Sequence, residues 1–199
     1  MSPARSTPLL LAACMALPAC SHALRATSSK EEPAMTTAAP ASIASPRLDA
    51  PQALQRVLDL IDDSHGLADL TPAHISQVMG IPMETARDGS ARYGFGEALD
   101  TQWTYGVGLD ATTPDASRFE FAFNPSQADA PMTPICQMDY DAFTAKLEAM
   151  GFTRTPYRAE HGRFVKEWFD KPGLRVSVYP QGETAEAAAH RCVRMVTIP

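Results

Sequence analysis

Five histidines, four cysteines and a scatter of loop carboxylates are the residues of this chain that could do chemistry. His22, His65, His74, His161 and His190 show no ligand-like spacing, and no H-E-x-x-H is present. G-x-S-x-G, S-x-x-K and a phosphate-cradling glycine loop are also missing. Gly94-Phe95-Gly96 and Gly106-Val107-Gly108 sit in strand patterns, where glycine suits the close approach of a neighbouring aromatic or backbone. Glu160-His161-Gly162 reads as a turn tip, with an acid–base pair as the alternative. His190-Arg191-Cys192 would suit a metal only if Cys192 kept a free thiolate. In an exported chain Cys136 and Cys192 are most simply a disulfide, closing a loop worth about 4 kcal/mol in the chain-entropy model. A metal pair is the rival, and two distant thiols without histidine spacing argue against it. Asp110, Asp115 and Asp129 lie in loops, where they either solvate the chain or meet a cationic partner. The residues therefore imply no cofactor, no metal and no enzyme. Binding is the chemistry left.

The N-terminus decides where that binding would occur. Arg5 precedes an apolar run, Leu9-Leu10-Leu11-Ala12-Ala13-Cys14-Met15-Ala16, and then Leu17-Pro18-Ala19-Cys20. A basic start, a short apolar core and small residues at a cleavage point predict a secretory signal over residues 1–19. About 12 apolar residues are too few to cross a bilayer, which needs roughly 20. Ending that core on a cysteine resembles the lipobox of bacterial lipoproteins. The resemblance implies that Cys20 becomes the first mature residue and carries acyl chains. Leu11-Ala12-Ala13-Cys14 also fits the box, with only about six apolar residues ahead of it, and an ordinary cleaved signal after Ala23 is a further alternative. Ser21 supplies no inner-membrane retention signal of the aspartate kind, so the expected location is the periplasmic face of the outer membrane. Loss of residues 1–19 removes Arg5 and no acid, leaving 16 basic against 23 acidic residues, a net charge of −7. That disfavours nucleic acid, and anionic membrane held by a basic face, and suits a basic protein partner.

Residues 20–48 have no periodicity and almost no large apolar side chains, which predicts a disordered tether. From Asp49 the chain must build whatever positions the loops. Asp49 as N-cap, Pro51 in the first turn and Leu54, Val57, Leu58 and Ile61 predict a helix from Ala50 to His65, ended by Gly66. Thr71, Pro72, Ile75, Val78, Met79 and Gly80 predict a shorter one. The period then becomes 2. Tyr93 and Phe95, then Trp103, Tyr105, Val107 and Leu109, then Phe119, Phe121 and Phe123 mark three strands of an antiparallel meander with one aromatic face to cover. A Pro-rich loop runs from Asn124 to Pro134, and a helix from Asp139 ends at Gly151-Phe152 in a Schellman pattern. Four strands follow, near residues 152–157, 163–170, 174–179 and 192–198, with Lys171-Pro172-Gly173 as a turn. Phe164 to Phe169 carries bulky groups on both faces, so that strand is either covered twice or lies at a partner surface. The expected class is α+β over residues 49–199, with helices on an antiparallel meander sheet and two tandem units at 49–123 and 136–199.

Leu70-Thr71 leading to Ile75, then Val78-Met79-Gly80-Ile81-Pro82, Trp103-Thr104-Tyr105 and Arg118-Phe119-Glu120-Phe121, resembles the SmpA/OmlA family of small outer-membrane lipoproteins. That family shares a helix–helix–meander unit with the beta-lactamase inhibitor proteins, which carry it in tandem. The resemblance covers residues 52–123, and both sets are binding proteins. The tether, disulfide, compact fold, acidic charge and missing catalytic residues suit an inhibitor or immunity-type lipoprotein that neutralises a toxin or cell-wall hydrolase. The SmpA/OmlA resemblance implies instead a structural accessory of outer-membrane assembly. The expected contact surface is the loops at 110–117 and 124–135, with Asp110, Asp115 and Asp129, and the 158–163 turn with Glu160 and His161.

Overall fold

Asp49 opens the first element. Its side chain accepts a hydrogen bond from Gln52 N–H at 2.8 Å, while the Gln52 side chain accepts from Asp49 N–H at 3.0 Å. This capping box starts helix α1 (Ala50–Asp63), which buries Leu54, Val57, Leu58 and Ile61. The helix stops two residues before His65. Ser64 turns extended and its hydroxyl donates to Leu60 O at 2.7 Å, so Ser64, not Gly66, ends it. Helix α2 (Pro72–Met79) runs as its spacing predicts, from the Thr71 cap to a left-handed Gly80. Helix α3 (Tyr140–Ala149) is capped by Asp139, whose side chain accepts from Ala142 N–H. Its end is the expected Schellman motif: Phe152 N–H donates to Leu147 O and Gly151 N–H to Glu148 O.

The structure, a computed structural model, describes residues 46–113 and 117–199. Cys20 and Asp115 lie outside the described residues. The chain is α+β, with three α-helices and one eight-stranded antiparallel sheet among these residues. The strands are β1 (Glu84–Thr85), β2 (Arg92–Ala98), β3 (Trp103–Asp110), β4 (Arg118–Pro125), β5 (Thr153–Arg158), β6 (Phe164–Lys171), β7 (Leu174–Gly182) and β8 (Arg191–Ile198). Their order is β1-β2-β3-β4-β8-β7-β6-β5, so β4 and β8 meet at the centre. Register is set by the buried face. Phe95, Val107, Phe121, Val196, Val178 and Glu167 follow one another across six strands. The buried side chains of the three helices and those of β3, β4, β7 and β8 form one continuous apolar cluster.

The opposite face carries different chemistry. Gly94 faces Gly108 and Gly96 faces Gly106 across β2 and β3. A Cβ at any of the four would meet nothing nearer than 3.4 Å, so no neighbour crowds them, contrary to the expectation of a close approach. On β6, Phe169 belongs to the core, while Lys166 and Trp168 lie on the other face with Ser177 and Tyr179 of β7. The Lys166 ammonium sits 4.9 Å from the Tyr179 ring centre and 5.5 Å from that of Trp168. Bulky groups therefore do occupy both sides of this strand.

Candidate functional site

Strand direction sorts the loops into two groups. With β3 running from Trp103 to Asp110 and its neighbours antiparallel, one end of the sheet carries the β3–β4 hairpin and the Lys171–Gly173 turn. The other end carries the β2–β3 turn, the 126–139 connection, the β5–β6 turn and the β7–β8 loop. Asp110 and Asp129 are thus separated by the length of a strand, roughly 24 Å at about 3.4 Å per residue. The expected grouping of Asp110 with Asp129 on one surface is corrected on this point, whereas Asp129, Glu160 and His161 do share an end.

The Asp110 end is electrostatically self-contained. The Asp110 carboxylate accepts from the Thr112 hydroxyl at 2.6 Å and from Thr112 N–H at 3.0 Å, and these bonds hold its pKa below the usual carboxylate range. Arg92 pairs with Asp88, and Arg118 with Glu120 at 2.7 Å. A depression of about 280 Å³ lies among Arg92, Tyr93, Asp110, Arg118 and Glu120. Each of its charged groups is already engaged, Arg92 by Asp88, Asp110 by Thr112 and Arg118 by Glu120.

The other end is built differently. Trp103, buried in the core, donates its indole N–H to Pro131 O at 3.0 Å, and Ser126 N–H donates to Gln102 O. Met132 N–H donates to Glu183 O at 2.8 Å and so joins the 126–139 connection to the β7–β8 loop. Cys136 and Cys192 are bonded, with Cα atoms 5.2 Å apart, and Asp139 forms an isolated bridge with Cys192. The loop folds back so closely over Gly182 that a Cβ there would lie 2.8 Å from Ala188 Cα. Only glycine fits. Exchange of Gly182 for alanine should therefore displace the 183–190 loop, seen as chemical-shift changes confined to that loop and residues 128–132. Unchanged shifts there would contradict this packing.

Between the two segments lies a cleft of about 530 Å³, with Asp129, Pro131, Glu183 and Glu186 among its lining residues. Among the described residues, neither Asp129 nor Glu186 has a hydrogen-bond or ion-pair partner. Glu183 is held by His190, whose Nδ1 lies 2.8 Å from Glu183 Oε2, while Nε2 lies 3.3 Å from Asp139 Oδ2. With a carboxylate at each ring nitrogen, the imidazole has no free nitrogen to serve as a general base or ligand. Glu183 and Asp139 raise the His190 pKa. Chiefly the bond from His190 lowers that of Glu183, and chiefly the Ala142 N–H lowers that of Asp139.

The remaining histidines are dispersed. His65 is nearly fully exposed, His74 lies 3.6 Å from Asp63, and His161 occupies a left-handed turn position (φ 59°) beside Glu160. The side-chain hydrogen bond described at this turn runs from Arg158 Nη1 to Gly162 O at 3.1 Å, and it involves neither the Glu160 carboxylate nor the His161 ring. No described group of three or more His, Cys, Asp or Glu is arranged to hold a metal ion. The β7–β8 loop is what sequence reasoning passed over. The one available signal was the long gap between strands ending near Tyr179 and starting near Cys192, since long connections often carry function. Comparison with protein-family models, with curated proteins and with solved structures returns no match.

Proposed function

We propose that this chain is a membrane-anchored periplasmic binding lipoprotein of the inhibitor or immunity type, which neutralises a basic secreted toxin or cell-wall hydrolase. The observation that carries this reading is the acidic cleft between residues 128–131 and 181–188. Its two walls are tied together by a disulfide and by Met132–Glu183, yet Asp129 and Glu186 point to no internal partner. Pre-ordered loops lose little conformational freedom on association, and unpaired carboxylates attract a cationic side chain. The strand order supports a tandem reading of two meanders, β1–β4 and β5–β8, each ending at the sheet centre.

A photo-reactive residue at Ala128 or Ala185 should capture one basic exported protein, and the same group at Thr112 should not. With that protein purified, Asp129→Asn combined with Glu186→Gln should slow association several-fold at low salt. The difference should shrink as salt is added, because exposed charges are screened beyond about 8 Å at physiological ionic strength. Equal association rates for the two forms would remove the cleft from the interface.

Anchoring is a separate expectation. Cys20→Ala should move the protein from the membrane to the soluble periplasmic fraction, with the loss of the acyl mass. Membrane association and mass that do not change would eliminate Cys20 as the lipidation site.

A further inference from the structure

His190 reaches two carboxylates that belong to distant parts of the chain. Glu183 stands at the start of the β7–β8 loop, and Asp139 caps α3, 51 residues away. A neutral imidazole has one N–H and can donate to only one of them, whereas the imidazolium has two and donates to both. The geometry therefore fits the charged ring. We propose that His190 is a pH-set latch that fixes the 183–190 loop against the 127–139 segment and so sets the rigidity of the cleft wall.

The other groups around the ring are accounted for. Thr133, beside the Glu183 carboxylate, also lowers its pKa. Arg191, the next residue along, is engaged with Asp141 at 3.0 Å and stacks over the Tyr140 ring. The positive end of α3 opposes a charge on His190, but the Asp139 side chain stands between them and accepts from both the ring and Ala142 N–H. Glu186 on the same loop adds negative charge to the cleft it lines. Two carboxylates in contact outweigh one helix end.

The sign of the pH dependence follows. The folded pKa of His190 is raised above its ordinary value of about 6.5, so its contribution is complete below that value and is lost as pH rises through the folded pKa. The pKa values of Glu183 and Asp139 are lowered, so their side of the latch fails only as pH falls through the acidic range. The latch is closed in the mildly acidic window between these limits. Above it, one carboxylate loses its donor and the loop is held by Met132–Glu183 and the backbone turns alone.

The importance of the latch for partner capture rests on the proposed use of the cleft; the latch itself can be tested with no partner present. In the 15N-labelled, disulfide-intact chain, the order parameters of Glu183–Ala189 should be sheet-like, about 0.85, at pH 5.5. By pH 8.5 they should fall toward about 0.6, with a midpoint matching the His190 ring titration, above about 6.5. His190→Gln should give the loose loop at both pH values, with the amide signals of Phe121 and Val196 reporting an unchanged core. Loop order that is constant across the His190 titration overturns the proposal. So does a pH response that survives in His190→Gln. Either result would leave the cleft as a partner site untouched, and a failed capture at Ala128 would leave the latch untouched.

Discussion

Replacing Cys136 and Cys192 together by alanine is expected to lower the unfolding free energy by about 4 kcal/mol. The bond spans 56 residues, and closing a loop of that length removes a large share of the unfolded chain's freedom. Alanine is the informative replacement. Cys192 is fully buried and Cys136 nearly so, and a serine hydroxyl there would add the cost of an unpaired buried polar group. A loss of that size is a large fraction of the roughly 5–15 kcal/mol that holds a typical domain together. Helices α1 and α3 share one apolar cluster with both halves of the sheet, so unfolding should remain a single transition. Trp103 in β3 and Trp168 in β6 report on the two halves, and each can be followed alone in a Trp→Phe background of the other. Guanidinium titrations should show one common midpoint, displaced to lower denaturant in the Cys-free form. A loss below about 1 kcal/mol would show that the bond constrains a region already ordered without it.

That disulfide was legible because pairing two cysteines needs only a count and a compartment. The caps were legible for a related reason. Asp49, Thr71, Gly80, Asp139 and Gly151 act on residues within four positions of themselves, so local sequence contains the whole cause. Alternation revealed β3 and β4, where Tyr105, Val107 and Leu109 face Phe123, Phe121 and Phe119. The errors have equally definite causes. Two-residue β1 is too short to show a period, and Ser64 stopped α1 through a side-chain bond that no periodicity encodes. Strand β7 continues past Pro180 because a bulge between Tyr179 and Pro180 absorbs the missing N–H, which moved the loop to 183–190. The pairing of β4 with β8 joins residues as far as 79 apart, Phe119 with Ile198, and nothing local specifies it. The candidate site failed in sequence for the same reason. Asp110 and Asp129 look like neighbours 19 residues apart, and strand direction puts them at opposite ends. His190, Glu183 and Asp139 look unrelated, and the sheet brings them together.

Glu167 is the carboxylate whose removal should cost the most. It is 6 % exposed, and its Oε2 accepts from the Tyr140 hydroxyl at 2.8 Å, from Arg154 Nε at 2.8 Å and from Arg154 Nη2 at 2.6 Å. Burial, and then Glu167, push the Tyr140 pKa upward, so the phenol remains a neutral donor. In Glu167→Ala, the Arg154 cation loses its partner and Tyr140 keeps only a 3.4 Å contact with Val178 O. Breaking a buried ion pair from one side costs about 3–5 kcal/mol, and the Arg154 side chain, 29 % exposed, can recover some hydration, so about 3 kcal/mol is expected. Glu167→Gln keeps the shape and one acceptor, and should lose about 1–2 kcal/mol. Converting Glu167 to Leu together with Arg154→Met and Tyr140→Phe should restore most of the loss, because the desolvation cost disappears with the charges. A natural comparison exists in the same sheet. Glu97 also receives a tyrosine hydroxyl, from Tyr105 at 3.0 Å, and an arginine, Arg47, whose Nε lies 3.7 Å away. There the carboxylate is 24 % exposed and the arginine 58 %, so water can replace the lost partner. Glu97→Ala should therefore cost about 1 kcal/mol. Both variants can be measured by urea titration at pH 7. If the two losses are equal, burial is not what gives the Glu167 contact its strength, and the closer Arg154 geometry would have to be credited with nothing.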